Sequence, residues 1–194
     1  MKTIVLRAAL AATILAVAAP AAAQNVPSAT IAIVDLEKVT SECTACKTAN
    51  AALQSQVNAL RARQTALATP LETEGKALQA AVNALGDKQP DAALQARITA
   101  FQTKQQQGGQ EIARQQQQIQ RNQAYIQQQI GSKLGPIYQQ VMQRRGANVM
   151  LEIGSTLASG ASLNVTNDVI AALNTALPRI QTTAPAQQQQ PPGR

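Results

Sequence analysis

Residues 53–78 read LQSQVNALRARQTALATPLETEGKAL, and the spacing of their apolar positions decides the fold. Leu53, Val57, Leu60, Leu67, Leu71 and Leu78 follow alternating steps of four and three, with Gln64 and Glu74 at the positions that complete the series. A seven-residue repeat returns to nearly the same face of an α-helix, so this stripe predicts a coiled-coil helix. Pro70 removes one ladder donor and predicts a bend there. Val82 and Leu85 carry the stripe on, slightly out of register.

Downstream, Gly86-Asp87-Lys88-Gln89-Pro90-Asp91 is a strong turn signal. Gly86 suits a helix C-cap, and Pro90 or Asp91 can open the next helix. A second periodic stretch begins with Leu94, Ile98 and Phe101, and Ile112, Ile119 and Ile126 continue it at seven-residue spacing. The intervening seam positions, Gln105, Gly108, Gln115 and Asn122, are poor ones. Ile126, Ile130 and Leu134 are successive fours, followed by Ile137 and Val141, a stutter that locally unwinds a supercoil. At 1.5 Å per residue the two helices would span roughly 55–60 Å and about 80 Å. The turn between them predicts an antiparallel hairpin whose longer second helix reaches into a base.

The base comes from the flanks. Thr30-Ile31-Ala32-Ile33-Val34 is a β-branched run and predicts a strand. Asp35 can cap a short segment, 36–40, before a cysteine-bearing turn at 41–46. After Gly146, residues 147–153 (ANVMLEI) predict a second strand, with a further short strand at 155–158. Thr166-Asn167-Asp168 caps a last helix to about residue 177, with Val169, Ile170, Leu173 and Leu177 on one face. The expected fold class is α+β: a small β-sheet body carrying a long antiparallel α-helical coiled-coil hairpin. Residues 30–46 and 146–181 form the body with its terminal helix, and residues 47–145 form the arm, with its tip near 86–91. A sheet this small beside so thin a seam predicts oligomerisation.

The termini read differently. Lys2 and Arg7 precede an apolar run, 8–19, then Pro20 and Ala21-Ala22-Ala23. That is a cleaved secretory signal peptide over 1–23, with an apolar run too short for a membrane anchor. Residues 24–29 read as a flexible leader, and the Gln- and Pro-rich residues 182–194 as a disordered tail.

Composition narrows the function classes. Phe101, Tyr125 and Tyr138 are the only aromatics, and Trp and His are absent. Without histidine, His-based acid–base and nucleophilic catalysis and His-ligated metals are excluded. Gly75-Lys76-Ala77 lacks the flanking residues of a phosphate loop, and Gly154-Ser155 has no nucleophile-elbow context. No cofactor and no metal are expected, and the chain is not read as an enzyme.

Basic residues exceed acidic ones by 12 to 5 between positions 47 and 145. A basic helical surface suits anionic partners: acidic unfolded chains, anionic lipid or lipopolysaccharide. Nucleic acid is set aside by the export signal. Arg97, Lys104, Arg114, Arg121 and Lys133 are the candidate binding residues, although each taken singly also reads as part of a solvated coiled-coil face. Pro70, Gly108 and Gly109 are hinge candidates, against a reading as tolerated drift. Cys43-Thr44-Ala45-Cys46 is open to three readings: a structural disulfide, free or intermolecular thiols, and a redox or metal site.

The order of elements resembles the OmpH/Skp family of periplasmic chaperones. Residues 30–39 (TIAIVDLEKV) look like that family's opening strand and turn, 148–153 (NVMLEI) like its second strand, and 163–174 (LNVTNDVIAALN) like its final loop and helix. Thr40 stands where the family often has an aromatic residue, and Cys43 and Cys46 where it usually has Ser or Gly. The resemblance implies a homotrimer with hairpins projecting around a cavity. It also implies ATP-independent binding of unfolded outer-membrane proteins, protecting them from aggregation. A structural coiled-coil scaffold or spacer of the cell envelope is the rival reading, separable by client range.

Overall fold

The structure, a computed structural model, describes residues 27–185. The expected signal peptide and most of the expected tail lie outside the described residues.

β1 (Ile31–Val34) is followed by α1 (Leu36–Glu42), α2 (Thr44–Asn83), α3 (Ala92–Arg145), β2 (Val149–Glu152) and α4 (Thr166–Ala176). β1 and β2 pair in parallel, Ile31 opposite Val149 through Val34 opposite Glu152. A parallel pair needs a long crossover, and here the whole of α1, α2 and α3 is that crossover. On its other side β1 meets Asn164 through a parallel bridge, with Val165 N–H donating to Ile33 C=O at 2.8 Å. The further strand expected at 155–158 does not form. Residues Ile153–Ser155 make a 3-10 turn instead, and the pairing on that side of β1 falls to Asn164. Gly154 and Gly160 flank that stretch, and glycine weakens a strand.

Local capping places the helices. Asp35 Oδ1 accepts from Lys38 N–H at 2.8 Å and starts α1. Asp91 does the same for α3 through Leu94 N–H, also at 2.8 Å. Gly146 ends α3 at φ +65°, a left-handed conformation that only glycine adopts without strain. α2 starts at Thr44, inside the expected cysteine turn, and runs through Pro70 without a break in helical assignment. α3 likewise continues through Pro136. At their lengths of 40 and 54 residues, the helices extend about 60 Å and about 80 Å.

The core sits in the body. Val39, Cys43, Cys46, Val141, Val169 and Leu173 are fully buried together, with Ile126, Ile130 and Ile137 from the root of α3. Side chains tie the pieces across long sequence separations. Thr166 Oγ1 accepts from Asp35 N–H at 2.9 Å, Asn174 Oδ1 from Thr44 N–H at 2.8 Å, and Arg145 pairs with Asp168 at 2.6 Å. Cys43 and Cys46 are joined as a disulfide at the corner between α1 and α2, where Cys43 Sγ also accepts Cys46 N–H.

The tail expected from residue 182 begins later. Residues 181–184 lie along α2 and α3, held by side-chain amides of Gln56, Gln118, Asn122 and Gln129. Residues 186–194 lie outside the described part.

Candidate functional site

The arm is built on the seam that the sequence marks. Leu53, Val57, Leu60, Gln64, Leu67, Leu71, Glu74 and Leu78 are each half-buried or buried, while most of the residues between them face solvent. On α3, Leu94, Gly108, Asn122, Ile126 and Ile130 are buried, and Gln105 is exposed. Contacts between the helices step in opposite directions along the chain. Gln56 meets Asn122, Arg63 meets Glu111, Leu67 meets Gly108, and Glu74 meets Arg97.

Small residues permit the closest approaches. A Cβ at Gly75 would lie 3.3 Å from Phe101 Cζ, so glycine lets the one phenylalanine pack against α2. A Cβ at Gly108 would lie 3.6 Å from Leu67 Cδ1, an ordinary contact, and one at Gly109 would meet nothing within 4 Å. Around Gly108 the helices leave an open cleft of 530 Å³, lined on its apolar side by Leu67, Pro70, Leu71 and Phe101. Arg63, Glu74, Lys104 and Glu111 supply its polar lining. The hinge candidates Pro70 and Gly108 thus border one cleft, whereas Gly109 lies toward a second, shallower opening.

The five candidate basic residues divide. Arg97 is engaged within the arm, its Nη2 donating to Glu74 Oε1 at 2.9 Å. Arg121 is half-buried and bonds Gln118, while its Nε is buried without a hydrogen-bond partner. Lys104, Arg114 and Lys133 are exposed and form no ion pair among the described residues. Arg63, not singled out in sequence, makes the arm's bidentate pair with Glu111, at 2.7 and 2.9 Å. The hydrogen bond from Arg63 holds the Glu111 carboxyl below its ordinary range, helped by attraction to Arg63 and Arg114 and a bond from Gln115, and opposed by desolvation. The same hydrogen bond raises Arg63. In the body, burial pushes the Tyr138 hydroxyl up, and the charge of Glu152 adds to it.

Among the described residues no three His, Cys, Asp or Glu side chains gather as a cation site, and no helix is long and apolar enough to cross a membrane. What the arm offers is scattered apolar side chains beside exposed ammonium and guanidinium groups, along a rod rather than in an enclosed pocket. Sequence reasoning missed the amides of Gln56, Gln118 and Gln129, whose role depends on a segment far away in the chain. The available signal was Asn122, polar at a seam position and 3% exposed.

The OmpH-like outer membrane protein family matches residues 30–173, from the start of the sheet into α4. No curated protein matches the chain. A solved structure of an outer membrane chaperone (OmpH-like) from Caulobacter crescentus CB15 is similar, with a TM-score of 0.69 at 19% identity. The match covers 86% of this chain and 96% of that one. At that identity the likeness speaks for the fold, and the match over residues 30–173 speaks for the family: the chain belongs to the OmpH-like outer membrane proteins.

Proposed function

We propose that this chain is an ATP-independent holdase of the periplasm that binds unfolded outer-membrane proteins and keeps them from aggregating, without catalysis. The observation that carries the reading is the arm itself, two long helices whose seam is mostly half-buried and whose exposed faces carry Lys104, Arg114 and Lys133. An unfolded barrel protein exposes alternating apolar side chains with no lipid to cover them. A rod offering many weak contacts captures such a chain through multivalency rather than one tight pocket. The basic excess speeds capture of acidic clients. The same charge makes anionic lipid or lipopolysaccharide a further proposed partner.

The working unit in this proposal is a homotrimer of antiparallel coiled-coil hairpins. Two strands and a bridge make a sheet too small to stand alone, and Ile31, Leu151, Ile153 and Leu163 remain more than a third exposed around it. Joining three such sheets would cover those side chains and set three arms around a cavity. Secretion through the cleaved signal at 1–23 belongs to the same proposal.

The test is dilution of a urea-denatured outer-membrane β-barrel protein into buffer with and without the chain, followed by light scattering. Suppressed scattering and a soluble complex with the mass of three chains plus one client are expected. Scattering unchanged at several-fold molar excess would end the holdase reading.

A further inference from the structure

The segment that follows α4 is read by its neighbours in one particular way. Gln129 Nε2 donates to Gln181 C=O at 2.9 Å, and Gln181 N–H donates back to Gln129 Oε1 at 2.9 Å. Gln56 Nε2 donates to Thr182 C=O at 3.2 Å. Ala184 N–H donates to Asn122 Oδ1 at 2.8 Å, and Gln118 Nε2 reaches Ala184 C=O at 3.5 Å. All five bonds end on backbone groups of the segment, so they hold it whatever its side chains are.

The receptor's side chains are also bonded to one another. Asn122 is almost wholly buried, donates to Gln56 Oε1 at 2.7 Å across the seam and accepts from Gln118 at 2.7 Å. Gln129 and Asn122 are seven residues apart, about 10.5 Å along a helix, and between them they hold Gln181 and Ala184 of the segment. Exposure along the segment alternates, Thr182 and Ala184 half-buried and Gln181 and Thr183 exposed, and the chain bends at Thr183.

We propose that Gln56, Gln118, Asn122 and Gln129 form a sequence-independent receptor for polypeptide backbone, occupied here by residues 181–184 of the chain itself and opened to an unfolded client segment when that strap is displaced. That the displacing chain is a client rests on the holdase reading, whereas the receptor's recognition of backbone groups does not. The strap is then an intramolecular competitor, present at an effective concentration on the order of millimolar, that covers the polar root of the arm until a longer chain replaces it.

The test uses the full chain and its Gln181→Pro, Ala184→Pro variant, which removes both donor N–H groups of the strap, with far-UV circular dichroism and urea denaturation showing that body and arm stay folded. The probes are fluorescein-labelled peptides: one of residues 178–194, one of the same residues shuffled, and one N-methylated at the positions of Gln181 and Ala184. Anisotropy of the variant is expected to show the first two binding within about threefold of each other and about tenfold or more tighter than to the parent chain. The N-methylated peptide should lose that gain, as should a variant that also carries Asn122→Ala and Gln129→Ala. Equal binding to parent and variant, or binding of the native sequence but not the shuffled one, would overturn the receptor. Peptide gain together with unsuppressed scattering of denatured barrel protein would keep the receptor and remove the holdase reading. Suppressed scattering without peptide gain would do the reverse.

Discussion

The body and the arm are held by different physics. In the body, a few side chains are wholly buried from segments far apart in sequence: Val39 of α1, Cys46 of α2, Val141 of α3, Val169 and Leu173 of α4. In the arm beyond Gln118, burial thins to Leu60, Leu78, Leu94 and Gly108, and the other seam residues are half-buried or, at Gln105, exposed. Cross-helix ion pairs at Arg63–Glu111 and Arg97–Glu74 flank the apolar contacts of Leu67, Leu71 and Phe101. Stability follows apolar burial, so the body carries it, and the arm opens locally at low cost. In the proposed holdase, a surface that adapts to clients of different size belongs on the second kind of structure.

The sharpest way to break this contrast is to remove the same side chain from both regions. Leu173→Ala empties a fully buried site in the body and is expected to cost about 2–5 kcal/mol. Leu67→Ala, at a half-buried seam position beside the open cleft, is expected to cost about 1 kcal/mol or less. Urea denaturation followed by far-UV circular dichroism compares them. Equal losses would mean that the arm is packed as tightly as the body.

The glycine pair sharpens the contrast from the other side. Each mid-helix glycine weakens the arm by about 0.5–1 kcal/mol against alanine. The space around Gly108 and Gly109 accommodates a methyl group. Gly108→Ala with Gly109→Ala should therefore stabilise the arm by about 1–2 kcal/mol and slow amide exchange around it, leaving the body's exchange unchanged. A hinge role predicts a second effect, a narrower range of client sizes held in the scattering assay. Destabilisation instead would place a tight contact where the cleft now lies.

The two regions also differ in what their sequence discloses. The arm's stripe follows from local periodicity, so Leu53 through Leu78 were legible residue by residue, as were the caps Asp35 and Asp91. The body is assembled from contacts separated by more than a hundred residues, such as Thr30 with Asn148 and Asp35 with Thr166. No local pattern announces the parallel register of β1 on β2 or the replacement of a strand at 155–158 by a bridge at Asn164. Composition marks residues 182–194 as low-complexity, yet backbone bonding to Gln56, Gln118 and Asn122 holds Thr182 and Ala184. The basic candidates suffered from a related limit, since charge counting cannot tell the paired Arg97 from the unpaired Lys104.

The smallest expected effect concerns the pair at the middle of the arm. Glu111 is held below its ordinary value of 4.5 chiefly by the hydrogen bond from Arg63. A carboxyl whose folded value is lowered stabilises the fold fully above the unfolded value, and that contribution is lost as pH falls through the folded one. Acidification below 4.5 should therefore loosen the arm around Arg63 and Glu111. The pair is partly exposed, so the effect is small and shrinks further in high salt. Amide exchange along α2 and α3 at a series of acid pH values, with and without Glu111→Gln, reads it directly. The variant should show the loosened arm at neutral pH and lose this step of the acid dependence. Identical acid profiles for parent and variant would mean that apolar contacts alone hold the middle of the arm, and the contrast with the body would be one of degree rather than kind.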